Sequence, residues 1–123
     1  MPIAKSSTQF AFLADTRLRE AGALVAKRHW LGALYLAGYA VECSLKAKIA
    51  KNSRDALPDS CKTHDLVALR KVLAPTLTDE QYVTLRAVPE WSHLLRYECR
   101  APSARTVTDF INQSKEAIRC LQT

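Results

Sequence analysis

Apolar residues recur at three- and four-residue steps along most of the chain, and this period predicts helices throughout. The first run is Phe10, Leu13, Ala14, Leu18, Ala21, Leu24 and Val25, with Arg17, Arg19 and Glu20 largely off the stripe. Ahead of it, Ser6 and Gln9 have the spacing of a capping box, in which two side chains satisfy backbone donors left free at a helix start. The second run, Trp30 to Lys51, carries Leu31, Leu34, Tyr35, Gly38, Val41, Leu45 and Ile49 on one face and reads as the central helix. Ala33, Ala37, Gly38 and Ala40 would let a neighbouring helix approach it closely.

The stretch from Asn52 to Lys62 is rich in turn formers, including Pro58, and predicts the longest connection. Thr63 is expected to cap a short helix through Leu73, with Leu66, Leu69, Val72 and Leu73 buried and Pro75 ending it. Thr78 and Gln81 repeat the capping-box spacing before Tyr82, Val83, Leu85 and Val88, and Pro89 should interrupt that helix ahead of Trp91 to Tyr97. Pro102 and Ser103 open a last helix with Val107, Phe110, Ile111, Ala117, Ile118 and Leu121 as its stripe. The expected fold is all-α: an antiparallel up-and-down bundle of about five helices.

At 123 residues the chain supports one hydrophobic core, so residues 1–123 read as a single domain. With 48% hydrophobic and 24% charged residues, a disordered or collagen-like chain is excluded. The 18 basic residues against 12 acidic ones give a net charge of +6, which favours partners rich in phosphate. Cys43, Cys61, Cys99 and Cys120 form no Cys-x-x-Cys pair, so reduced structural thiols are expected, and neither a metal nor a cofactor. The N-terminal segment is polar and no long apolar run follows, so a cytoplasmic protein with no membrane contact is expected.

Three blocks occur in order: Tyr35-Leu-Ala-Gly-Tyr39-Ala-Val-Glu42-Cys-Ser-Leu-Lys46-Ala, then Thr63-His64-Asp65-Leu66, then Arg96-Tyr97. Together with the five-helix layout they resemble the HEPN family. The resemblance implies a small helical bundle, often a homodimer, often encoded beside a minimal nucleotidyltransferase, and associated with RNA or nucleotides. It further implies a regulatory or toxin-antitoxin pairing with that nucleotidyltransferase. The family's ribonuclease pattern is an Arg, then four to six residues, then a His, usually with Asn or Asp after the Arg and Tyr two past the His. Arg86 and His93 have that separation, but Ala87 and Leu95 stand at the two accessory positions and Pro89 lies between. A metal-independent endoribonuclease using Arg86 and His93 is therefore the alternative to a binding domain. A non-catalytic, homo-oligomerising helical adaptor is a third reading.

Glu42 falls at or beside the apolar stripe of the central helix, where an unpaired carboxylate is costly and demands a partner. Arg96, His64, Lys46 and the hydroxyls of Tyr39 and Tyr97 are the candidates, and the planar fork of Arg96 suits a carboxylate best. Read functionally, Glu42, Lys46, His64, Asp65, Arg96 and Tyr97 wall a nucleotide or phosphate pocket, with Trp91 or Tyr97 stacking on a base. Read structurally, the same residues are a salt-bridge network between helices. Lys46, Lys48, Lys51, Arg54 and Lys62 could track a nucleic-acid backbone, or complement the dipole at the end of the second helix.

Overall fold

A computed structural model describes residues 3–88, 91 and 93–122, with the backbone alone for His93 and Arg96. Five α-helices account for most of them: α1 (Ser7–Ala26), α2 (Trp30–Asn52), α3 (Leu66–Leu73), α4 (Asp79–Arg86) and α5 (Ala104–Leu121). Short 3₁₀ turns cover Asp59–Cys61, Ala74–Thr76 and His93–Tyr97, and no strand occurs among the described residues.

Both expected capping boxes form. Ser6 Oγ accepts from the Gln9 amide while Gln9 Oε1 accepts from the Ser6 amide, and Thr78 and Gln81 make the same exchange at α4. Ser103 caps α5 by accepting from the Thr106 amide at 3.1 Å. At α3 the cap is Asp65 and not Thr63: its Oδ1 accepts from Val67 and Ala68 at 3.0 and 3.3 Å. A carboxylate at a helix N-terminus also meets the positive end of the dipole, an advantage the Thr63 hydroxyl lacks. Thr63 Oγ1 instead accepts from the Asp65 amide, holding the entry to the cap.

The α1–α2 turn is tight, with Arg28 at φ 60° and the His29 amide donating to the Leu24 carbonyl. α1 therefore folds back antiparallel along α2. At the far end of this hairpin Arg54 and Asp55 both take left-handed backbone angles. The Asp55 carboxylate reaches the start of α1, where it accepts from the Ser7 amide at 2.9 Å and from the Ser7 hydroxyl.

α2 is buried on most of its circumference, because α1, α3, α5 and the 93–97 turn pack around it. Its small residues do the work expected of them, although the neighbour that Gly38 admits is a side chain and not a helix. A Cβ at Gly38 would lie 2.2 Å from the indole of Trp91. The core then runs through Leu45, Ile49, Leu69, Leu73, Leu85 and Val107. Gln81 Nε2 donates to the Cys120 carbonyl at 3.0 Å, tying the start of α4 to the end of α5.

The stripes of the short helices are narrower than their sequence suggests. Val72 is half exposed, and Tyr82 and Val83 lie mostly outside the core, leaving Leu66, Leu69, Leu73, Leu85 and Val88 as the buried set. One residue turns the helix by about 100°, so a helix of two turns packed on one side cannot bury Val72 together with Leu73. α4 ends at Arg86 with Ala87 as its cap residue. Pro89, expected to interrupt it, lies outside the described residues.

Candidate functional site

The middle of α2 turns a line of side chains, Tyr35, Tyr39, Glu42 and Lys46, along one of its flanks. Tyr35 packs on Trp91 and on Tyr39, with ring centroids 5.7 and 6.2 Å apart, and the Arg17 guanidinium lies 5.9 Å over the Tyr39 ring. Below this aromatic column sits Glu42, 1% exposed. Its Oε2 lies 2.9 Å from Lys46 Nζ one turn further on, itself buried. Its two oxygens also lie 3.1 and 3.2 Å from Nδ1 of His64, in the segment that leads into α3.

Geometry fixes part of the chemistry of this cluster. A carboxylate only accepts hydrogen bonds, so Nδ1 of His64 carries the proton and the ring is held from its buried side. Half of the His64 side chain is open to solvent. The buried charge acts on its neighbours as well. Burial and then the Glu42 carboxylate push the Cys43 thiol up to about 12, and Tyr39 is raised by burial, then by Cys43 and Glu42.

The remaining sequence candidates divide between this cluster and a groove on the next flank of α2. Asp65 follows His64 but spends its carboxylate on the α3 cap. Trp91 is buried over Gly38, and its Nε1 has no hydrogen-bond partner among the described atoms. Both residues line a cavity of about 720 Å³ between α2, α3 and α4, walled by Leu45, Leu66 and Leu85. Arg86 opens on the same groove, exposed, with its guanidinium 5.8 Å over the Tyr82 ring. Tyr97 is 71% exposed at the end of the 93–97 turn. The side chains of His93 and Arg96 lie outside the description, and with them the expected Arg86–His93 and Glu42–Arg96 pairings. The described partners of Glu42 are Lys46 and His64.

The sequence reading missed one groove residue, Arg70. Its Nη1 donates to the Leu85 carbonyl at 3.1 Å and bridges α3 to α4. Beside Lys71 in the last turn of α3 it reads as a dipole-complementing charge, and no spacing signals its second role. No group of three His, Cys, Asp or Glu side chains among the described residues could hold a metal ion. None of the described helices is long and apolar enough to cross a membrane.

Comparison with known proteins gives one match. A family model described as "HEPN domain" matches residues 11–123, nearly the whole chain. No curated protein and no solved structure matches it.

Proposed function

Since the chain belongs to the HEPN domain family, we propose that it is a nucleotide- or RNA-associated domain that works through binding, with phosphate received at the Glu42, Lys46 and His64 cluster. One observation carries this reading. A fully buried carboxylate draws a lysine from its own helix and a histidine from the start of α3 onto one spot, and leaves that histidine half open to solvent. A buried acid costs several kcal/mol of desolvation that a purely apolar packing would avoid. Spent here, that cost orients a cationic side chain and an imidazole where an oxyanion can reach the ring. Tyr97 is the exposed aromatic that can stack on a base, and Arg96 lies next to it in the chain. The net charge of +6 adds a non-specific attraction for a polyanion.

The proposed biological setting is a homodimer that acts as the regulatory or toxin-antitoxin partner of a minimal nucleotidyltransferase, and co-purification of the two proteins tests it. Binding is tested by titrating the protein with ATP and with single-stranded RNA at low salt. The expected result is saturable binding of at least one of the two, about tenfold weaker in His64→Ala, with RNA affinity falling steeply as salt rises. Binding unchanged in His64→Ala would remove the cluster from the site. Multi-turnover RNA cleavage lost in both Arg86→Ala and His93→Ala would replace the binding reading with the endoribonuclease one.

A further inference from the structure

We propose that the groove between α2, α3 and α4 binds a small organic oxyanion with an apolar body, a carboxylic or phosphoric acid whose charged end rests on Arg70 and Arg86. This stands on observations separate from the Glu42 cluster and does not depend on the function proposed for it.

Many of the chain's arginines are neutralised, although Arg28 and Arg54, away from the groove, have no carboxylate in reach among the described residues. Arg17, Arg19, Arg100, Arg105 and Arg119 each have a carboxylate within ion-pair reach. The two arginines that line the groove have none among the described residues, although an acid stands beside them. That acid, Asp65, is committed to the Val67 and Ala68 amides and makes no ion pair with either arginine, so a single negative charge stands against two positive ones. Both guanidinium groups are also positioned in advance. Arg70 is anchored by one N–H to the Leu85 carbonyl and keeps its others, and Arg86 is steadied over the Tyr82 ring. A planar fork held at a groove wall is suited to two-point recognition of a carboxylate or phosphate.

The rest of the groove defines the body of the ligand. Its volume of about 720 Å³ falls within the ~300–1,000 Å³ usual for small-molecule sites. Among the described residues, apart from the two arginines and Asp65, its side chains are aliphatic, with Trp91 added, and the Trp91 Nε1 is turned to Gly38. With the arginines on its phosphate, a nucleobase placed there would find among the described residues only Asp65, already committed to the α3 cap, for its polar edge, and desolvating that edge unpaired is costly. An alkyl chain or a plain aryl ring incurs no such cost. The groove therefore selects against nucleotides and for hydrophobic acids.

The chain has two tryptophans, Trp30 and Trp91, so Trp30→Phe leaves Trp91 as the only indole, in the groove wall. This protein is titrated with octanoate, phenyl phosphate, 1-octanol, adenosine monophosphate and inorganic phosphate, following Trp91 emission and Tm. The expected result is a saturable response to octanoate or phenyl phosphate, and which of them binds more tightly tells the carboxylate from the phosphate. Affinity should fall at least tenfold in Arg70→Gln/Arg86→Gln. Since Arg70 also supports the Leu85 carbonyl, Val67→Glu provides a second variant. It places a carboxylate at the exposed groove rim and should cause the same loss with an unchanged circular dichroism spectrum. The proposal is overturned if neither acid saturates, or if 1-octanol, inorganic phosphate or adenosine monophosphate matches the better acid. It is equally overturned if affinity survives in either variant that keeps the wild-type spectrum.

Discussion

The two flanks of α2 treat charge in opposite ways. On the Glu42 flank, acid and base are both taken out of water and set against each other, so Glu42 and Lys46 answer each other's charge and His64 is the face the cluster turns outward. On the groove flank, two guanidinium groups stand at an aliphatic wall while the nearby carboxylate is spent on a helix cap. The first arrangement makes stability depend on partners staying paired; the second leaves electrostatic attraction for something outside the chain.

The sharpest way to break the comparison is Glu42→Met, which leaves Lys46 buried without its partner and should cost about 3–5 kcal/mol by urea denaturation. Glu42→Met/Lys46→Met should recover most of that loss, because a packed apolar pair of similar volume replaces a desolvated ion pair at little or no cost. A double variant as unstable as the single one would mean that Glu42 is held mainly by His64.

Gly38→Ala comes next, since the two flanks meet at Trp91, which touches Tyr35 on one side and lines the groove on the other. The new methyl would collide with the indole. Overpacking should cost about 1–3 kcal/mol, outweighing the ~1 kcal/mol that alanine gains in helix propensity, with a shift in Trp91 emission.

Asp65→Ala is smaller again and the most discriminating. Losing the α3 cap should cost about 0.5–2 kcal/mol in chemical denaturation. The same change strips the groove of its acid, so octanoate affinity should rise while stability falls. Thr63→Ala, which removes a hydroxyl that only supports the cap, should cost less than Asp65→Ala.

Much of this architecture is legible in the chain, because local rules decide it. The capping boxes at Ser6 and Thr78 depend on residues three apart, and the extent of α2 on a period sustained over six turns, so both emerge as read, although burial of α2 reaches well beyond the expected face. The Glu42–Lys46 pair is legible for the same reason, being one helical turn apart. Where packing decides, the reading runs out. The sequence marks Gly38 as a point of close approach without saying that an indole fills it. The exposure of Val72, Tyr82 and Val83 depends on how few sides of a two-turn helix meet neighbours. Arg70 looks like any cation at a helix end until α4 brings the Leu85 carbonyl to it.

Asp55 has a consequence for how the bundle comes apart. Its carboxylate stitches the open mouth of the α1–α2 hairpin, and the Ser7 hydroxyl, then the Ser7 amide, hold its carboxyl below the ordinary carboxylate range. A group whose folded value is depressed contributes stability that is present above its unfolded value, near 3.9, and that drains away as the pH falls through the folded one. Acid should therefore unpick the hairpin from its far mouth while the short Arg28 turn still holds, so amide exchange at low pH should quicken at Ser7 before it does at His29.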